Sequence, residues 1–496
     1  MKLNDLFRDI PDCRFNGNGE TEILGLAYSS KQVKPGFLFA AIPGEKRDGF
    51  EFIGEARQNG AVAILSDRPR PQKWTSAWVQ TPDVREALAL AAANFYGHPS
   101  MDLTVIGITG TKGKTTLTYL LESILHKAGL QTGVIGTINY RWPKMVQAAP
   151  RTTPEAPDLQ RMMREMLEQG VTHCLIEVSS HALDLKRVWG VHFDIAVFTN
   201  LSAEHLDYHT SMEDYFETKK RLFFLNAKKR TAVVNLDDPW GNRLMTELPL
   251  NTISFGLEPA AIVRAEHFRF AETGIKAEVD YPGGQVKICS ALMGKHNLYN
   301  ILAAVATGLA LNLPAATIKE GISTLKTIPG RLEKVENALG FHVFVDYAHT
   351  DQAMRSLLDA IRELKPPRIL LVFGAGGDRD KAKRPRMGEV AAALADQIFI
   401  TSDNPRSENP LAIIADIEQG FVSRGAKNYL IIPDRKEAIA KALAEARKGD
   451  YVLIVGKGHE DYQVFKDRTI HFTTPKSSAR SSRPWREGPD GGVATG

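Results

Sequence analysis

One ten-residue stretch, "GITGTKGKTT" (107–116), limits the folds open to this chain more than any other segment. A short apolar run leads into a glycine-rich turn, and a helical pattern follows from Lys114 to Ala128. A buried strand, a glycine turn and a helix N-terminus in this order can surround phosphates with backbone N–H groups. The stretch predicts a phosphate loop in which Lys114 reaches the β- and γ-phosphates and Thr115 or Thr116 holds Mg²⁺. A glycine-rich βα turn without a ligand is the alternative.

Short apolar runs continue after the loop and alternate with helical patterns. "HCLIEVSS", "FDIAVFTN" and "TAVVNLDD" are strand candidates, and "IKAEVDYPGGQVKICSAL" alternates around a Pro-Gly-Gly turn. Strands alternating with helices indicate a doubly wound, mainly parallel sheet. The Pro-Gly-Gly segment predicts a hairpin, which we expect at an antiparallel edge of that sheet.

The chain divides into four parts, all of them α/β except the last. Residues 1–98 predict a small mixed α/β domain, and residues 99–330 the central domain of the phosphate-loop type. "IPGRLEKV" (328–335) reads as a linker. Five further apolar runs in residues 331–472 predict a Rossmann-like domain. Residues 473–496 are rich in Ser, Pro, Gly and Arg, and they predict a disordered tail.

Composition narrows the classes of function. With 496 residues the chain is too long for one core, and 43% hydrophobic with 24% charged residues is typical of soluble globular proteins. The net charge of +4 is spread along the chain, which argues against a nucleic-acid partner. Cys13, Cys174 and Cys289 lie far apart, as thiols do in a reducing compartment. We expect a cytoplasmic monomer without membrane insertion, because no leader or long apolar run is present.

Two polar loops follow strand candidates of the central domain. "EVSSHALDLKRV" presents Glu177, Ser179 and Arg187, and "TNLSAEHLDYH" presents Asn200 and His205. Carboxylate and imidazole at strand ends can ligate a metal, and helix capping with local hydrogen bonds is the alternative. Two such loops beside a phosphate loop favour the metal site.

The spacing of the phosphate loop indicates a family. The common GxxxxGK[ST] pattern would need glycine at Ile108, whereas this chain has the shorter Gly110-Thr-Lys-Gly113-Lys-Thr. That form resembles the Mur ligases and the related folylpolyglutamate synthetases, which are ATP-dependent amide ligases that make an acyl phosphate. The resemblance implies an ATP site formed by Gly110, Thr111, Lys112, Gly113, Lys114, Thr115, Thr116, Asn297, Asn300, Arg331 and Asp346.

The same resemblance assigns roles at the reacting centre. It implies a catalytic set of Lys114, Glu177, Asn200, His205 and Lys219. Mg²⁺ would be held by Thr115, Glu177, His205 and Lys219, the last as a carbamate. The sequence alone does not distinguish Lys219 from Lys220, its neighbour in "YFETKKRLFF".

Two segments resemble those with which Mur ligases bind a UDP-linked muramoyl peptide. "SSKQVKPGFLFAAIPGEKRDGF" is similar to the uridine-binding segment, and "RTTPEAPDLQ" to the segment that grips the muramoyl-dipeptide in the ligases that add the third residue. The implied partner is UDP-N-acetylmuramoyl-L-alanyl-D-glutamate. The implied contacts are Ser30, Thr152, Thr153, Ser179 and Arg187.

Three segments of the last domain resemble the members of the family that add meso-diaminopimelate. They are "FGAGGDRDKAKRP", "SDNPRSENP" and "VGKGHEDYQ", and the implied contacts are Arg379, Asp403, Asn404, Pro405, Arg406, Gly456 and Glu460. Arg406 can take the distal carboxylate of diaminopimelate through two parallel hydrogen bonds, and Glu460 can take the distal ammonium. Lysine lacks that carboxylate, and it would leave Arg406 unpaired.

Three alternatives stay open from the sequence. A lysine-adding member of the family is opposed by Arg406, and a folylpolyglutamate synthetase is opposed by the first domain and by "RTTPEAPDLQ". A nucleotide-binding regulator without ligase activity is opposed by the combination of Glu177, His205 and Lys219, which binding alone does not need.

Overall fold

The computed structural model describes residues 1–44, 47–206, 208–225, 231–248 and 251–472. The chain forms two compact units. The first contains Met1–Arg269, Ile275–Ser290 and His296–Leu325, and the second contains Phe270–Gly274, Ala291–Lys295 and the chain from Lys326 onward. The predicted first and central domains both lie in the first unit, and the boundaries at residues 98 and 330 stay a prediction.

The N-terminal part of the first unit is a five-stranded sheet in the order β1-β5-β4-β3-β2. All neighbouring strands are parallel except β1 and β5. The elements are α1 (Leu3–Leu6), β1 (Arg14–Asn16), β2 (Gly25–Ala27), β3 (Phe37–Ala40), α2 (Ile53–Gln58), β4 (Ala63–Ser66), β5 (Ala77–Gln80) and α3 (Val84–Phe95). Short 3₁₀ turns lie at Ser30–Gln32, Gly49–Phe52 and Pro99–Met101.

The central sheet has eleven strands in the order β16-β15-β14-β13-β12-β11-β6-β10-β7-β8-β9. Its strands are β6 (Thr104–Thr109), β7 (Thr132–Ile135), β8 (Asn139–Trp142), β9 (Met145–Ala148), β10 (His173–Glu177), β11 (Ile195–Phe198), β12 (Thr231–Asn235), β13 (Asn251–Gly256), β14 (Val263–Ala271), β15 (Gly274–Tyr281) and β16 (Gly284–Ser290). Its helices are α4 (Lys114–Lys127), α5 (Ala156–Glu168), α6 (Ser180–Asp184), α7 (Met212–Lys220), α8 (Pro239–Glu247), α9 (Lys295–Ala310) and α10 (Ala315–Thr324), with a 3₁₀ turn at Arg221–Phe223.

The middle of this sheet is parallel, and β6 lies between β10 and β11. Because these strands are parallel, the loops that follow them emerge at one edge of the sheet, where such folds bind ligands. The phosphate loop and both polar loops follow these three strands. The sheet therefore brings together segments that are up to about 90 residues apart in sequence.

The second unit contains a six-stranded sheet in the order β17-β18-β22-β19-β20-β21 and a separate two-stranded ribbon. The strands are β17 (Glu333–Val335), β18 (His342–Asp346), β19 (Ile369–Phe373), β20 (Gln397–Ile400), β21 (Tyr429–Ile431), β22 (Tyr451–Val455), β23 (Tyr462–Val464) and β24 (Thr469–His471). The helices are α11 (Asp351–Arg362), α12 (Lys383–Leu394), α13 (Pro410–Val422) and α14 (Arg435–Glu445). From β18 to β21 the large sheet is wholly parallel, as the Rossmann-like prediction requires.

The predicted fold class, α/β with a central doubly wound sheet, is confirmed. The predicted hairpin is β15–β16 at the edge of the central sheet. The linker prediction for 328–335 is wrong at its end, because β17 pairs with β18 as an antiparallel edge strand. The predicted disordered tail, 473–496, lies outside the described residues. None of the described helices is long and apolar enough to cross a bilayer.

The helix that begins at the phosphate loop, α4, is packed closely against α10. A Cβ atom at Gly321 of α10 would lie 2.5 Å from the Cα of Ile124, which is backbone and cannot rotate away. Ser123 also donates a hydrogen bond of 2.7 Å to the carbonyl of Gly321. The absence of a side chain at Gly321 therefore lets the two helices approach closely enough to fix α4.

We expect Gly321→Ala to lower the free energy of unfolding by about 1–3 kcal/mol, because the added methyl overpacks a backbone contact. The matched control is Gly54→Ala in α2, where a Cβ atom would meet nothing within 4 Å. That change is expected to stabilise by about 0.4–1 kcal/mol through the unfolded chain. Urea unfolding midpoints measure both, and equal effects of the two variants would contradict the packing account.

Candidate active site

The phosphate loop is shaped by two glycines that no other residue could replace without movement. Gly110 and Gly113 have φ angles of 144° and 91°, which favour glycine. A Cβ atom at Gly110 would lie 2.0 Å from Thr199 Oγ1, and one at Gly113 would lie 2.4 Å from Asn300 Oδ1. The loop thus lies directly against the β11 loop and α9.

Asn200, the first predicted contact from the β11 loop, is part of the frame that holds the loop. Its carbonyl accepts a hydrogen bond of 2.9 Å from the Thr111 N–H, and its Oδ1 accepts one of 3.0 Å from the Lys112 N–H. Thr199 Oγ1 donates to the Lys112 carbonyl at 2.6 Å. These contacts fix the direction of the loop backbone before any ligand is bound.

Two lysine side chains meet at one backbone carbonyl of the loop. Lys114 Nζ donates to the Gly110 carbonyl at 2.8 Å, and Lys219 Nζ donates to the same oxygen at 3.0 Å. Lys219 is buried, whereas Lys220 pairs with Glu217 and Glu247 on the outer face of α7. The structure therefore separates the two lysines that the sequence could not.

The ammonium form of Lys219 is disfavoured where it lies. Burial, and then the nearby Lys114, hold the pKa of Lys219 well below its ordinary value. Its Nζ also lies 4.6 Å from the centre of the Tyr215 ring. A neutral amine is the form that reacts with CO₂, so this environment favours the chemistry of a carbamate.

Glu177 lies at the end of β10 and contacts the first turn of α4. Its carboxylate accepts hydrogen bonds from Thr115 Oγ1 at 3.0 Å, Thr137 Oγ1 at 2.8 Å and Thr137 N at 3.0 Å. Thr137 Oγ1 also lies 3.1 Å from Thr152 Oγ1. The predicted metal ligand Thr115, the predicted ligand Glu177 and the predicted substrate contact Thr152 are thus connected through Thr137.

His205 lies in a group of aromatic rings beside the two lysines. Its ring centre is 5.3 Å from that of His181 and 6.2 Å from that of Tyr215. Although the side chain reaches the surface, partial desolvation and the charges of Lys114 and Lys219 lower the pKa of His205, against the opposing effect of Glu204. The neutral imidazole is the form that ligates metals.

The donors at this edge of the sheet fit Mg²⁺ in kind. Thr115 and Glu177 offer hard oxygen atoms within one hydrogen bond of each other, which is the ligand chemistry that Mg²⁺ prefers. Among the described residues, no group of three His, Cys, Asp or Glu side chains is arranged as a metal site. Further oxygen donors would therefore come from phosphate, water or a modified Lys219.

A cavity of about 270 Å³ lies beside the loop within the first unit. Thr199, Asn200 and Asn300 line it on the side of the phosphate loop, and His296 and Tyr299 line it as well. Asn300 is held by its neighbour Asn297, to which its Nδ2 donates at 3.0 Å. Three residues that line the cavity, Thr199, Asn200 and Asn300, also lie against the phosphate loop.

The predicted muramoyl-dipeptide contacts also come together in the first unit. Thr153 Oγ1 donates to the Glu177 carbonyl at 2.7 Å and accepts a hydrogen bond from the Ser179 N–H at 3.2 Å. Arg187 Nη1 donates to the Thr153 carbonyl at 3.2 Å. Thr152, Ser179 and Arg187 therefore form one surface beside the phosphate loop, and the fourth predicted residue, Thr153, is buried beneath it.

One carboxylate, Glu155, holds this surface to the N-terminal domain. It pairs with Arg187 at 3.0 Å, with Arg85 of α3 at 3.3 Å and with Arg151. Ser30, the predicted uridine contact, lies elsewhere in that domain, where its hydroxyl donates to Glu55 at 2.7 Å. Ser30 is not in the same hydrogen-bonded group as the dipeptide contacts.

The second unit holds the remaining predicted nucleotide contacts. Asp346 ends β18, and its carboxylate accepts hydrogen bonds from the N–H groups of Leu332 at 2.6 Å and Ala348 at 2.7 Å. The guanidinium of Arg331 lies 4.8 Å from the centre of the Tyr347 ring. Asp346 thus fixes the backbone around Arg331 and the loop that follows β18.

The predicted diaminopimelate contacts meet around Gly376 and Gly456. A Cβ atom at Gly376 would lie 2.9 Å from Arg406 Nη1 and 3.9 Å from both Arg379 Cγ and the Asn404 carbonyl. A Cβ atom at Gly456 would lie 2.5 Å from Asp403 Oδ2. The structure therefore brings the residues predicted from three sequence segments to one end of the parallel sheet.

Arg406 is anchored in an unusual backbone conformation. Its φ angle is 53°, its N–H donates to the Val464 carbonyl at 2.9 Å and its Nη1 donates to the Gly377 carbonyl at 2.7 Å. A left-handed conformation costs energy for a residue with a side chain, and such cost is common at functional sites. These bonds hold the guanidinium in place with donors to spare.

A fully buried arginine joins the two loops that carry Arg379 and Arg406. Arg384 makes two parallel bonds to Glu408, from Nη1 at 3.0 Å and from Nη2 at 2.9 Å. It also donates to Asp416 at 2.8 Å and to the Gly376 carbonyl at 3.2 Å. These bonds lower the pKa of Glu408 to about 2, and the carboxylate stays charged at neutral pH.

Several residues of these sites were not predicted. Thr137 follows β7, a neighbour of β10, and the rule that strand ends share an edge could have found it. Lys457 lies between the predicted Gly456 and Glu460 in sequence. Tyr215 and Arg384 gave no comparable signal, because an aromatic or charged residue on a helix usually has an ordinary packing or surface role.

The chain matches three family models in order along its length. Residues 22–96 match the Mur ligase family catalytic domain, residues 108–308 the Mur ligase middle domain, and residues 330–458 the Mur ligase glutamate ligase domain. The matches cover all the predicted contacts except Glu460, which lies two residues beyond the last matched range.

Individual relatives match over almost the whole chain. A UDP-N-acetylmuramoyl-L-alanyl-D-glutamate–2,6-diaminopimelate ligase of Geobacter metallireducens is 44% identical over 97% of this chain and 98% of its own. The ligase of the same name from Solibacter usitatus is 46% identical over 91% and 92%.

Solved structures of two ligases also match most of this chain. A diaminopimelate ligase of that name is 30% identical, with a TM-score of 0.69 over 95% of this chain and 96% of its own. The fold also resembles folylpolyglutamate synthase of Mycobacterium tuberculosis, at 17% identity, a TM-score of 0.60 and coverage of 74% and 91%. On the identity and coverage of its sequence relatives, the chain belongs to the Mur ligase family and is an ATP-dependent ligase.

Proposed function

We propose that this ligase adds meso-diaminopimelate to the D-glutamyl γ-carboxylate of UDP-N-acetylmuramoyl-L-alanyl-D-glutamate, a step in making peptidoglycan precursors. The relatives with this name match more than nine-tenths of the chain. The observation that carries the mechanism is the pair of lysines, Lys114 and Lys219, at the Gly110 carbonyl.

The two lysines create a demand for negative charge at the phosphate loop. Two protonated amines would repel each other strongly in this buried place, so Lys219 favours the neutral amine and Lys114 carries the positive charge. The phosphates of ATP, or conversion of Lys219 to an anionic carbamate, would supply the negative charge that this pair of lysines favours. The loop is therefore suited to bind triphosphate and to stabilise charge as the γ-phosphoryl group moves.

In the first step a carboxylate oxygen of the substrate attacks the γ-phosphorus. The bond to the ADP oxygen breaks, and the products are an acyl phosphate and ADP. Lys114 stabilises charge on the phosphoryl oxygens, and the N–H groups of Thr111 and Lys112 are held in place by Asn200. The protein contributes position and charge, and it forms no bond to substrate.

Thr115, Glu177, His205 and carbamylated Lys219 would hold Mg²⁺, which neutralises phosphate charge when bound. The dipeptide would be placed beside these groups by Thr152, Thr153, Ser179 and Arg187.

In the second step the free amine of diaminopimelate attacks the acyl carbon. The tetrahedral intermediate expels inorganic phosphate, and an amide bond remains.

The amino acid is selected in the second unit. We assign the distal carboxylate of diaminopimelate to Arg406, whose Nη1 lies beside Gly376, and to Arg379, whose Cγ lies near the same glycine. Glu460 accepts a hydrogen bond of 2.9 Å from Asn404 Nδ2, and it keeps a second carboxylate oxygen for the distal ammonium. We place this reaction in the cytoplasm, where ATP is supplied, and assign it to the monomer.

Phosphate release from ATP and the UDP-muramoyl-dipeptide should require meso-diaminopimelate. L-Lysine and a reaction without amino acid serve as the comparisons, because lysine has the same amine but no distal carboxylate. Phosphate release with L-lysine but not with meso-diaminopimelate would identify a lysine-adding ligase. Release with neither amino acid would rule out both assignments.

Lys219→Ala should lower kcat by about 100-fold or more, the usual effect of removing one preorganised electrostatic group. The matched control is Lys220→Ala, which removes an adjacent lysine whose partners are Glu217 and Glu247 on the outer face. That control should keep kcat within about twofold. Full activity of Lys219→Ala would remove the residue from the mechanism.

Arg406→Ala should raise the KM for diaminopimelate by about 10- to 150-fold, the range for loss of a hydrogen bond to a charged group. The KM for ATP should change little. Arg424→Ala, an exposed arginine of the same unit, is the control for loss of one positive charge. A rise of both KM values to the same extent would show that the variant disturbs the fold instead of the amino-acid contact.

A further inference from the structure

A buried lysine that no sequence pattern identified contacts several of the predicted diaminopimelate-binding residues in the second unit. Lys457 is fully buried. Its Nζ donates to Asn404 Oδ1 at 2.9 Å and to Glu460 Oε2 at 3.1 Å, and it lies 3.9 Å from Asp403 Oδ1. Three of the predicted diaminopimelate contacts therefore share one internal ammonium group.

A second buried cation lies in the same network. Arg435 begins α14 and is only 2% exposed, and its Nη2 donates to the Val455 carbonyl at 2.8 Å. Its Nε and Nη1 are buried and make no hydrogen bond within the described part of the chain. The charges of Asp403 and Glu460 are its main electrostatic partners. A guanidinium in this position acts through its charge more than through hydrogen bonds.

The charge count of this site follows from these contacts. Its anions are Asp403 and Glu460, and its buried cations are Lys457 and Arg435. Each buried carboxylate thus has an internal counterion. The remaining positive charge belongs to Arg406, whose Nη1 lies beside Gly376, and to Arg379, whose Cγ lies near the same glycine.

We propose that Lys457 is a positioning residue that sets amino-acid specificity. It holds Asn404 and Glu460 in place, and it compensates the Glu460 charge so that an ammonium group alone gains little there. The site then discriminates by carboxylate, through Arg379 and Arg406. This inference rests on the proposed function, and it adds the reason why a substrate with a distal ammonium but no distal carboxylate is refused.

Lys457→Gln tests the charge while keeping a side chain that can hydrogen-bond. Without Lys457 the negative charge of Glu460 is uncompensated, and it attracts the distal ammonium of lysine. Arg379 and Arg406 are unchanged and still favour a substrate with a distal carboxylate. The ratio of kcat/KM for diaminopimelate to kcat/KM for lysine should fall at least about tenfold, which corresponds to about 1.4 kcal/mol. The KM for ATP should stay within about threefold of the wild-type value.

The matched control is Lys436→Gln, an exposed lysine next to Arg435, and its specificity ratio should equal that of the wild type. A merely structural role of Lys457 would lower both kcat/KM values by the same factor. An unchanged ratio in Lys457→Gln would therefore overturn the proposal.

The double variant Lys457→Gln/Glu460→Gln covers the case in which the single variant fails to fold. Removing both members of a buried pair is tolerated better than removing one. With no uncompensated carboxylate left, the double variant should prefer diaminopimelate over lysine again, through Arg406. A double variant that accepts both amino acids equally would contradict the assigned role.

The wild-type enzyme separates this inference from the function on which it rests. If the wild type releases no phosphate with diaminopimelate, the proposed function fails, whatever the variants do. If the wild type ligates diaminopimelate and Lys457→Gln keeps the wild-type ratio, only the role of Lys457 fails.

Discussion

The side chains of two lysines meet at the carbonyl oxygen of Gly110, and contacts from several elements of the first unit hold the loop that carries this oxygen. Lys114 arrives from the first turn of α4, and Lys219 arrives from α7. Burying a second cation beside Lys114 is costly, which is why the neutral amine of Lys219 is favoured there. The close packing of α4 on α10 and the bonds from Thr199 and Asn200 stabilise the arrangement against that cost.

The sequence predicts the fold well because its apolar runs are short and regularly interrupted. Each apolar run that predicted a strand corresponds to one in the structure. They are β6, β10, β11 and β12 in the central sheet and β18 to β22 in the second unit. The β8–β9 hairpin was missed because β9 is only four residues long and mostly exposed. The end of the predicted linker was wrong because three residues joined an edge strand, and a short edge pairing leaves little trace in composition.

The residues of these sites fall into two groups, those that a sequence pattern identifies and those that it does not. Residues that follow strands or form glycine motifs, such as Glu177, Asn200 and Arg406, could be predicted because parallel strands place their ends together. Lys457 and Arg435 become part of the site through proximity in the folded chain, and no pattern marks them in sequence. Their roles are to balance charge or to hold another residue, and such roles depend on which groups become neighbours.

The carboxylate of Glu155 has a consequence for the whole first unit. It is the common counterion of Arg85 in the N-terminal domain and of Arg151 and Arg187 in the central domain. Because Glu155 belongs to the same predicted domain as Arg151 and Arg187, loss of its contact with α3 would keep those two pairs and would remove a counterion from Arg85 alone. The Arg85–Glu155 pair thus orients α3 against the group that contains Thr153 and Arg187, so a change in α3 reaches that group through one shared carboxylate.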